Sequence, residues 1–339
     1  MNKKSFQAIR YHEHGVPLEV LCLEELPMPE LRTGEVRVQV LASTIHPSDF
    51  GLIQGSYGRL KDLPAIGGRE GVGKIVELGE GITSKVLGKL VAIPEECGTW
   101  RECCSIKEDD LLLLPSLVPV DQLAVSILNP LTAWRLLNDF EYLREGDTII
   151  QNAANSAVGL SIIQFARKMN LTCINLVRSK ERLQDLLAFG ATEVWLDDDD
   201  VPERVRELTN GVGCTLGLNS VGGKSALRLA RSLRAGGVHV TFGAMERESI
   251  RFPTRSLIFD DIRFVGFWLD RWRRKQTRKD LVNAVEEVLH PLAMTEINHP
   301  IDRVFSFSEY KDALLRNAES RTGKVLLTPD KRLLADSTS

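Results

Sequence analysis

The spacing of apolar positions changes character near residue 120. Before it, short runs broken by Gly and Pro predict strands at 35–41, 73–78, 90–93 and 111–114, because alternate side chains of a strand fall on opposite faces. After it, continuous apolar runs alternate with stretches whose apolar residues recur every three or four positions. The runs predict strands at Thr148–Gln151, Thr172–Val177, Glu193–Leu196, 216–219, 238–242 and 264–267. The amphipathic stretches predict helices at 160–169, 180–189, 202–209 and 223–233. Strands joined by helical crossovers make a parallel sheet. Residues 304–327 return to strand, helix, strand and are expected to rejoin the β-rich part. The chain reads as an α/β protein with a domain at 1–122 completed by 303–339, and a second domain at 123–302.

The junction after Thr148 carries the first chemistry. The strand runs through Gln151-Asn-Ala-Ala-Asn-Ser-Ala-Val-Gly159 into an amphipathic helix, the layout of a dinucleotide-binding turn in which pyrophosphate rests on a helix N-terminus. Ala154, Ser156 and Gly159 stand at the three positions of Gly-x-Gly-x-x-Gly, so by spacing alone a plain strand–loop–helix fits as well. Nineteen residues beyond Gly159 lies Arg178, followed by Ser179 and Lys180. A site for NAD places a carboxylate at this strand end to hold the adenosine 2′-hydroxyl. A carboxylate would repel a 2′-phosphate, whereas a guanidinium binds one bidentately. Alone, Arg178-Ser-Lys-Glu-Arg182 is equally a solvated helix start; joined to the turn it makes NADP(H) the expected cofactor.

Composition narrows the class. A chain of 339 residues is long enough for two cores. A net charge of −3 gives no bulk field that would attract nucleic acid or a membrane surface. No apolar run approaches the roughly 18 residues of a membrane span. The first ten residues lack an apolar signal core, so a cytoplasmic protein is expected, or a mitochondrial one whose leader lies outside the sequence. Six cysteines at 22, 97, 103, 104, 173 and 214 form no disulfide framework or paired C-x-x-C spacing. The acids Asp197–Asp200 read as a solvated loop.

A β-rich first part, an inserted nucleotide domain and a returning C-terminus together resemble the medium-chain dehydrogenase/reductase superfamily over nearly the whole chain. Within it the chain is most similar to the zinc-free trans-2-enoyl-thioester reductases of mitochondrial type. The residues that carry the resemblance are Ile53-Gln-Gly-Ser-Tyr-Gly58, Leu63-Pro-Ala-Ile-Gly-Gly68, Leu128-Asn-Pro-Leu-Thr-Ala133, Gln151–Gly159, Asn219-Ser-Val-Gly-Gly-Lys224 and Gly266-Phe-Trp-Leu269. Quinone reductases of the superfamily typically have Gly-Gly where this chain has Ser156-Ala157. The implied fold is a GroES-like, β-barrel-type catalytic domain plus a six-stranded doubly wound Rossmann domain. The implied reaction is NADPH-dependent reduction of the C2=C3 double bond of an enoyl thioester, carried on coenzyme A or an acyl carrier protein. A quinone or enal reductase on the same fold, and an NADPH-binding protein without turnover, are the alternatives.

Zinc alcohol dehydrogenases of this superfamily need three protein ligands and an open position. Their Gly-His-Glu turn corresponds here to Gly68-Arg69-Glu70, where a cation replaces the imidazole. Ile45-His-Pro-Ser-Asp49 has no thiol where their first cysteine ligand stands, and His46 reads as an isolated structural histidine. No metal is expected. Without one, hydride addition leaves an enolate that needs a proton at the α-carbon. Tyr57, on a surface turn with no evident packing role, matches the catalytic acid of the enoyl-thioester reductases. A phenol of pKa about 10 is protonated at neutral pH yet can donate. Tyr142 and Tyr310 read as structural residues of helices, and Tyr11 as part of a strand.

The resemblance also implies cofactor contacts. Asn129 falls near the nicotinamide; Asn155, Ser156, Ala157 and Val158 form the pyrophosphate turn; Arg178, Ser179 and Lys180 clamp the 2′-phosphate. Phe242, Gly243, Ala244 and Met245 end the fifth strand, with Ala244 standing where the family has a second glycine. Phe267, Trp268 and Leu269 end the sixth strand and wall the nicotinamide. Lys324 matches a cationic family position and otherwise reads as a strand-edge lysine. Six cations between Arg271 and Lys279 read as a solvated helix face, or as a dock for an anionic acyl carrier. By analogy a homodimer is expected, with 263–269 near the contact.

Overall fold

The computed structural model describes residues 4–246, 248–250 and 253–335. Residues 1–3 and 336–339, at the ends of the expected first domain, lie outside the described residues. Two compact units result, one from the residues up to Ile127 and from Leu289 onward, the other from Leu128–Val288. The strands of the first unit are β1 (Ser5–Tyr11), β2 (Leu21–Pro27), β3 (Glu35–Thr44), β4 (Ala65–Ile66), β5 (Gly71–Leu78), β6 (Leu90–Ala92), β7 (Cys103–Lys107) and β8 (Leu112–Leu114). The second unit contributes β9 (Thr148–Gln151), β10 (Thr172–Val177), β11 (Glu193–Leu196), β12 (Cys214–Asn219), β13 (Leu233–Thr241) and β14 (Arg263–Gly266). The first unit is completed by β15 (Ile301–Ser306) and β16 (Lys324–Thr328).

In the first unit the sheet order is β15-β16-β3-β5-β6-β8, with β7 also paired to β3; a smaller sheet runs β2-β1-β4. β3 is the hub. Its first half alternates, with Val36, Val38 and Val40 packed against Ile75, Val91, Cys104 and Ile106. Its second half, from Val40 to Thr44, is buried on both faces. A second core joins Ile45, Ile53, Trp100, Phe307 and Leu327, so the returning C-terminus completes this core. The units divide at 127/128 and 288/289, where 122/123 and 302/303 are expected from the sequence. Gln122 and His299 exchange hydrogen bonds at 3.0 and 2.8 Å, and Ile127 N–H donates to Glu70 at 2.8 Å, which ties these flanking segments to the first unit.

The second unit is one parallel sheet in the order β11-β10-β9-β12-β13-β14, two right-handed halves that reverse at β9 and β12. Its helices follow the periodicity with shifted ends: Ala157–Lys168, Glu181–Ala188, Val201–Leu208 and Gly223–Arg231. The first starts three residues before its apolar stripe because Ser156 caps it. Helices Leu128–Asn138 and Arg278–Ala293 were not among those read from the pattern. Tyr142 lies in a loop, not a helix, and is exposed. Tyr310 begins the helix Tyr310–Ala318 and its hydroxyl donates to Leu21 O at 2.8 Å.

Burial lowers the imidazoles of His46, His239 and His299 from 6.5 to about 4. The unfolded chain takes up these protons as pH falls through 6.5, whereas the folded chain does not until about 4. Stability is therefore fully present above 6.5 and lost as pH falls toward 4. Asp49, raised by burial from 3.8 to about 6, opposes this by only one proton. The melting temperature is expected to drop between pH 7 and pH 5 in a buffered thermal scan; a flat profile would contradict neutral, buried imidazoles.

Candidate active site

The second unit forms a tight strand-to-helix turn at the carboxyl edge of its sheet. β9 delivers Asn152, then the chain turns through Ala153 at φ 47°. Ser156 Oγ accepts the Gly159 N–H at 3.1 Å, which leaves the preceding N–H groups of the helix Ala157–Lys168 directed at the turn. A Cβ on Gly159 would sit 2.4 Å from Ala154 O, so the third glycine is needed for the helix to approach the strand. Asn155, Ser156, Ala157 and Val158 are all half-buried around this turn.

The turn is held from behind by a network that the sequence reading did not single out. Asn152 Nδ2 donates to Asn219 Oδ1 at 2.8 Å and to Ser225 Oγ at 2.9 Å, and its Oδ1 accepts Ser220 N–H at 2.8 Å. Asn219 also receives Val221 and Gly222 N–H and donates to Thr241 Oγ1 at 3.1 Å. Ser225 donates to Asp197, whose carboxylate binds Arg228 at 2.7 Å. Asp197 is thus a half-buried anchor, its side chain 6% exposed, and not part of a solvated loop. The available signal was an Asn at the ends of two strands, Asn152 and Asn219.

β10 ends in Arg178 and Lys180, both exposed, with half-buried Ser179 between them. Neither cationic side chain makes a hydrogen bond or ion pair among the described residues. The backbone N–H of Glu181, then the Ser179 side chain, hydrogen-bond the Glu181 carboxylate and hold it below its usual range, with help from Arg182 and Lys180. Asn129 lies in the helix Leu128–Asn138, and its buried Nδ2 has no acceptor among the described residues. Phe242 and Gly243 leave β13 half-buried, Phe242 N–H bonding Asn219 O at 2.9 Å, while Ala244 and Met245 are exposed. β14 stops at Gly266. Phe267 packs edge-on to Phe140 at 5.6 Å, and Trp268 caps the short helix Leu269–Arg273 instead of ending the strand. Arg274 lies over the Trp268 ring at 4.9 Å. An unsatisfied buried amide, a glycine-dependent cradle and two exposed cations at the strand end fit a phosphorylated dinucleotide.

The first unit presents a different cluster. Tyr57 follows the helix Pro47–Ile53 and is half-buried, packed on Gly51 and on Arg69. Arg69 Nη1 donates to Tyr57 Oη at 3.1 Å, and the guanidinium lies 5.0 Å from the ring centroid. The turn thus gives Tyr57 a packing role that the sequence did not suggest. Arg69 itself is 5% exposed. It is forked onto Glu95 by bonds of 2.6 Å from Nε and 2.9 Å from Nη2. Gly68, at φ 85° with Trp100 against its α-carbon, makes the turn that aims Arg69 and Glu70 inward.

Behind them, His46 Nε2 lies 2.7 Å from Glu70 and Nδ1 3.3 Å from Lys324 Nζ, which also donates to Ile45 O at 2.5 Å. An ammonium can only donate, so Nδ1 accepts and Nε2 carries the proton that Glu70 receives. Burial and Lys324 both hold His46 neutral, and burial lowers Lys324 to about 8. His46 is therefore a networked residue, not an isolated one. Lys324 starts β16, between β15 and β3, and is buried, so it is not a strand-edge lysine.

Two family models match: the alcohol dehydrogenase GroES-like domain over residues 32–116 and the zinc-binding dehydrogenase domain over 157–287. The residues do not fit the metal that the second description names. Arg69 is a cation, His46 Nδ1 faces an ammonium, and no three His, Cys, Asp or Glu among the described residues are grouped to hold an ion. The mitochondrial enoyl-[acyl-carrier-protein] reductase of Xenopus tropicalis is 40% identical over 82% of this chain and 81% of its own. That of Homo sapiens is 36% identical over 91% and 84%. Among solved structures, a Bacillus thuringiensis protein assigned as an NADPH:quinone reductase superposes with a TM-score of 0.89 at 27% identity, covering 97% of this chain and all of its own. The mitochondrial 2-enoyl thioester reductase heterodimer of Candida tropicalis gives 0.86 at 27%, covering 96% and 99%. A complex of that type with NADP and crotonyl-CoA gives 0.86 at 26%, with the same coverage.

A GroES-like unit joined to a 3-2-1-4-5-6 parallel sheet with this turn defines a medium-chain dehydrogenase/reductase. Within that superfamily, the chain belongs to the enoyl-[acyl-carrier-protein] reductase family of those vertebrate relatives.

Proposed function

We propose that this chain reduces the C2=C3 double bond of trans-2-enoyl thioesters with NADPH, and that Tyr57 delivers the proton. The observation that carries the reading is the Tyr57 hydroxyl, held by a buried, forked Arg69 in a chain of this family. When bound, NADPH supplies hydride to the β-carbon of the substrate. Arg178 and Lys180 hold its 2′-phosphate, Ser179 flanks it, and the turn from Asn155 to Val158 binds its pyrophosphate. Asn129 offers its amide to the nicotinamide end, and Phe242, Gly243, Ala244, Met245, Phe267, Trp268 and Leu269 wall the site. Tyr57 protonates the α-carbon as the enolate forms, which prevents return of the hydride. Lys324 acts one layer back, by holding His46 and Ile45 in place.

Steady-state NADPH oxidation with crotonyl-CoA, an enal and a quinone tests the reading. A kcat/KM for crotonyl-CoA well above the others is expected. A quinone preference would support the second reading, which the likeness to the Bacillus protein favours. The enzyme is read as zinc-free, so elemental analysis after mild dialysis is expected to find well under one zinc per chain. It is also read as a homodimer through the edge strand β14, where Arg263, Val265 and Gly266 are exposed; light scattering is expected to give twice the chain mass. A mitochondrial location follows from the same kinship and is tested by cell fractionation.

A further inference from the structure

We propose that Arg69, clamped by Glu95, is a positioning residue for proton delivery: it turns the Tyr57 hydroxyl outward and stabilises the phenolate left behind. This rests on the role given to Tyr57 above.

Three separate segments converge to make the device. Tyr57 comes from the loop after the helix Pro47–Ile53, Arg69 from the glycine turn between β4 and β5, and Glu95 from the turn after β6. A phenol has one proton and two lone pairs, and a guanidinium can only donate. The 3.1 Å bond from Arg69 therefore occupies a lone pair of Oη, and the Tyr57 proton must point elsewhere. The guanidinium keeps its charge at any working pH. Its Nε and Nη2 edge binds Glu95 while its Nη1 binds Tyr57, so one guanidinium joins the carboxylate and the phenol. Lys61 secures the same arrangement, donating to Glu95 O at 2.8 Å and Ile66 O at 3.3 Å. The other titratable groups near Arg69 are Glu70, Asp49 and neutral His46, all buried.

In the proton step the Tyr57 O–H bond breaks and its proton forms the new Cα–H bond with the C=C electron pair of the enolate. The enolate oxygen pair re-forms the thioester carbonyl. The O–H electron pair stays on Oη as phenolate, beside the guanidinium, until water returns a proton. A fixed cation where negative charge develops lowers the barrier only if it is in place beforehand, which is what Glu95 and Lys61 secure.

A double-mutant cycle separates this from a structural role. Arg69→Gln is expected to lower kcat on crotonyl-CoA about 10- to 100-fold, in line with loss of one charged hydrogen bond, with KM for NADPH within about twofold. Its solvent isotope effect should rise as proton delivery becomes limiting. In a Tyr57→Phe background the same substitution should change kcat by less than about twofold, because the group it serves is gone. Equal losses in both backgrounds, or no loss in either, would overturn the proposal. If Arg69→Gln fails to fold, Arg69→Gln combined with Glu95→Gln removes both charges of the pair, and is read against Tyr57→Phe in the same way. Should Tyr57→Phe alone keep its kcat, the assignment of Tyr57 fails first. Should Tyr57→Phe lose activity while Arg69→Gln does not, only the role of Arg69 fails.

Discussion

Replacing Tyr57 with Phe is expected to lower kcat on an enoyl thioester by 10² to 10⁴, the usual range for loss of a general acid, and to leave NADPH binding intact. The substitution keeps the ring that stacks on Arg69 and contacts Gly51, so the loop should hold its place. What disappears is the hydroxyl and the hydrogen bond it accepts from Arg69. KM should change little, since the lost interaction is made in the transition state. Water can replace the phenol as proton source, which moves the effect toward the lower end. More than about half of wild-type kcat in the variant, with chemistry limiting turnover, would remove Tyr57 from the mechanism and bring the quinone reading forward.

The second large effect concerns cofactor choice. With Arg178 and Lys180 both changed to Ala, KM for NADPH should rise on the order of a hundredfold or more, while KM for NADH barely moves. Two charge-assisted contacts of about 1.5–3 kcal/mol each set that scale. Both side chains are exposed and neither supports the fold through a hydrogen bond among the described residues, so stability should be unaffected. Initial rates against both cofactors measure the ratio. Equal affinity of the wild type for NADH and NADPH would defeat the assignment outright.

The sequence carried the sheet of the second unit well because its strands are continuous apolar runs and its helices have clear stripes. β10 and β11 were legible to the residue. The turn between β9 and its helix was legible as a strand–turn–helix through Gly159 and the strand before it, although the helix begins at a cap that periodicity does not mark. Less could be read where contacts join distant segments. Glu95 lies 26 positions from Arg69 and Lys324 278 from His46, and no local pattern announces either pair. The sequence marked Arg69 only by what it excludes, a zinc ligand. Its bond to Tyr57 and its fork onto Glu95 depend on Gly68 and Trp100 turning the chain inward. Asp197 was misread for the same reason: within its own acidic run it looks solvated, and only Ser225 and Arg228 from a later helix enclose it.

The paired asparagines behind the turn proposed to bind the dinucleotide bear on how a cofactor would be met there. Asn152 and Asn219 satisfy one another and the backbone of the next turn without any help from a ligand. The mould is cast before the guest arrives. Little chain ordering should then accompany capture of a dinucleotide at this turn, so association there is expected to be limited by encounter.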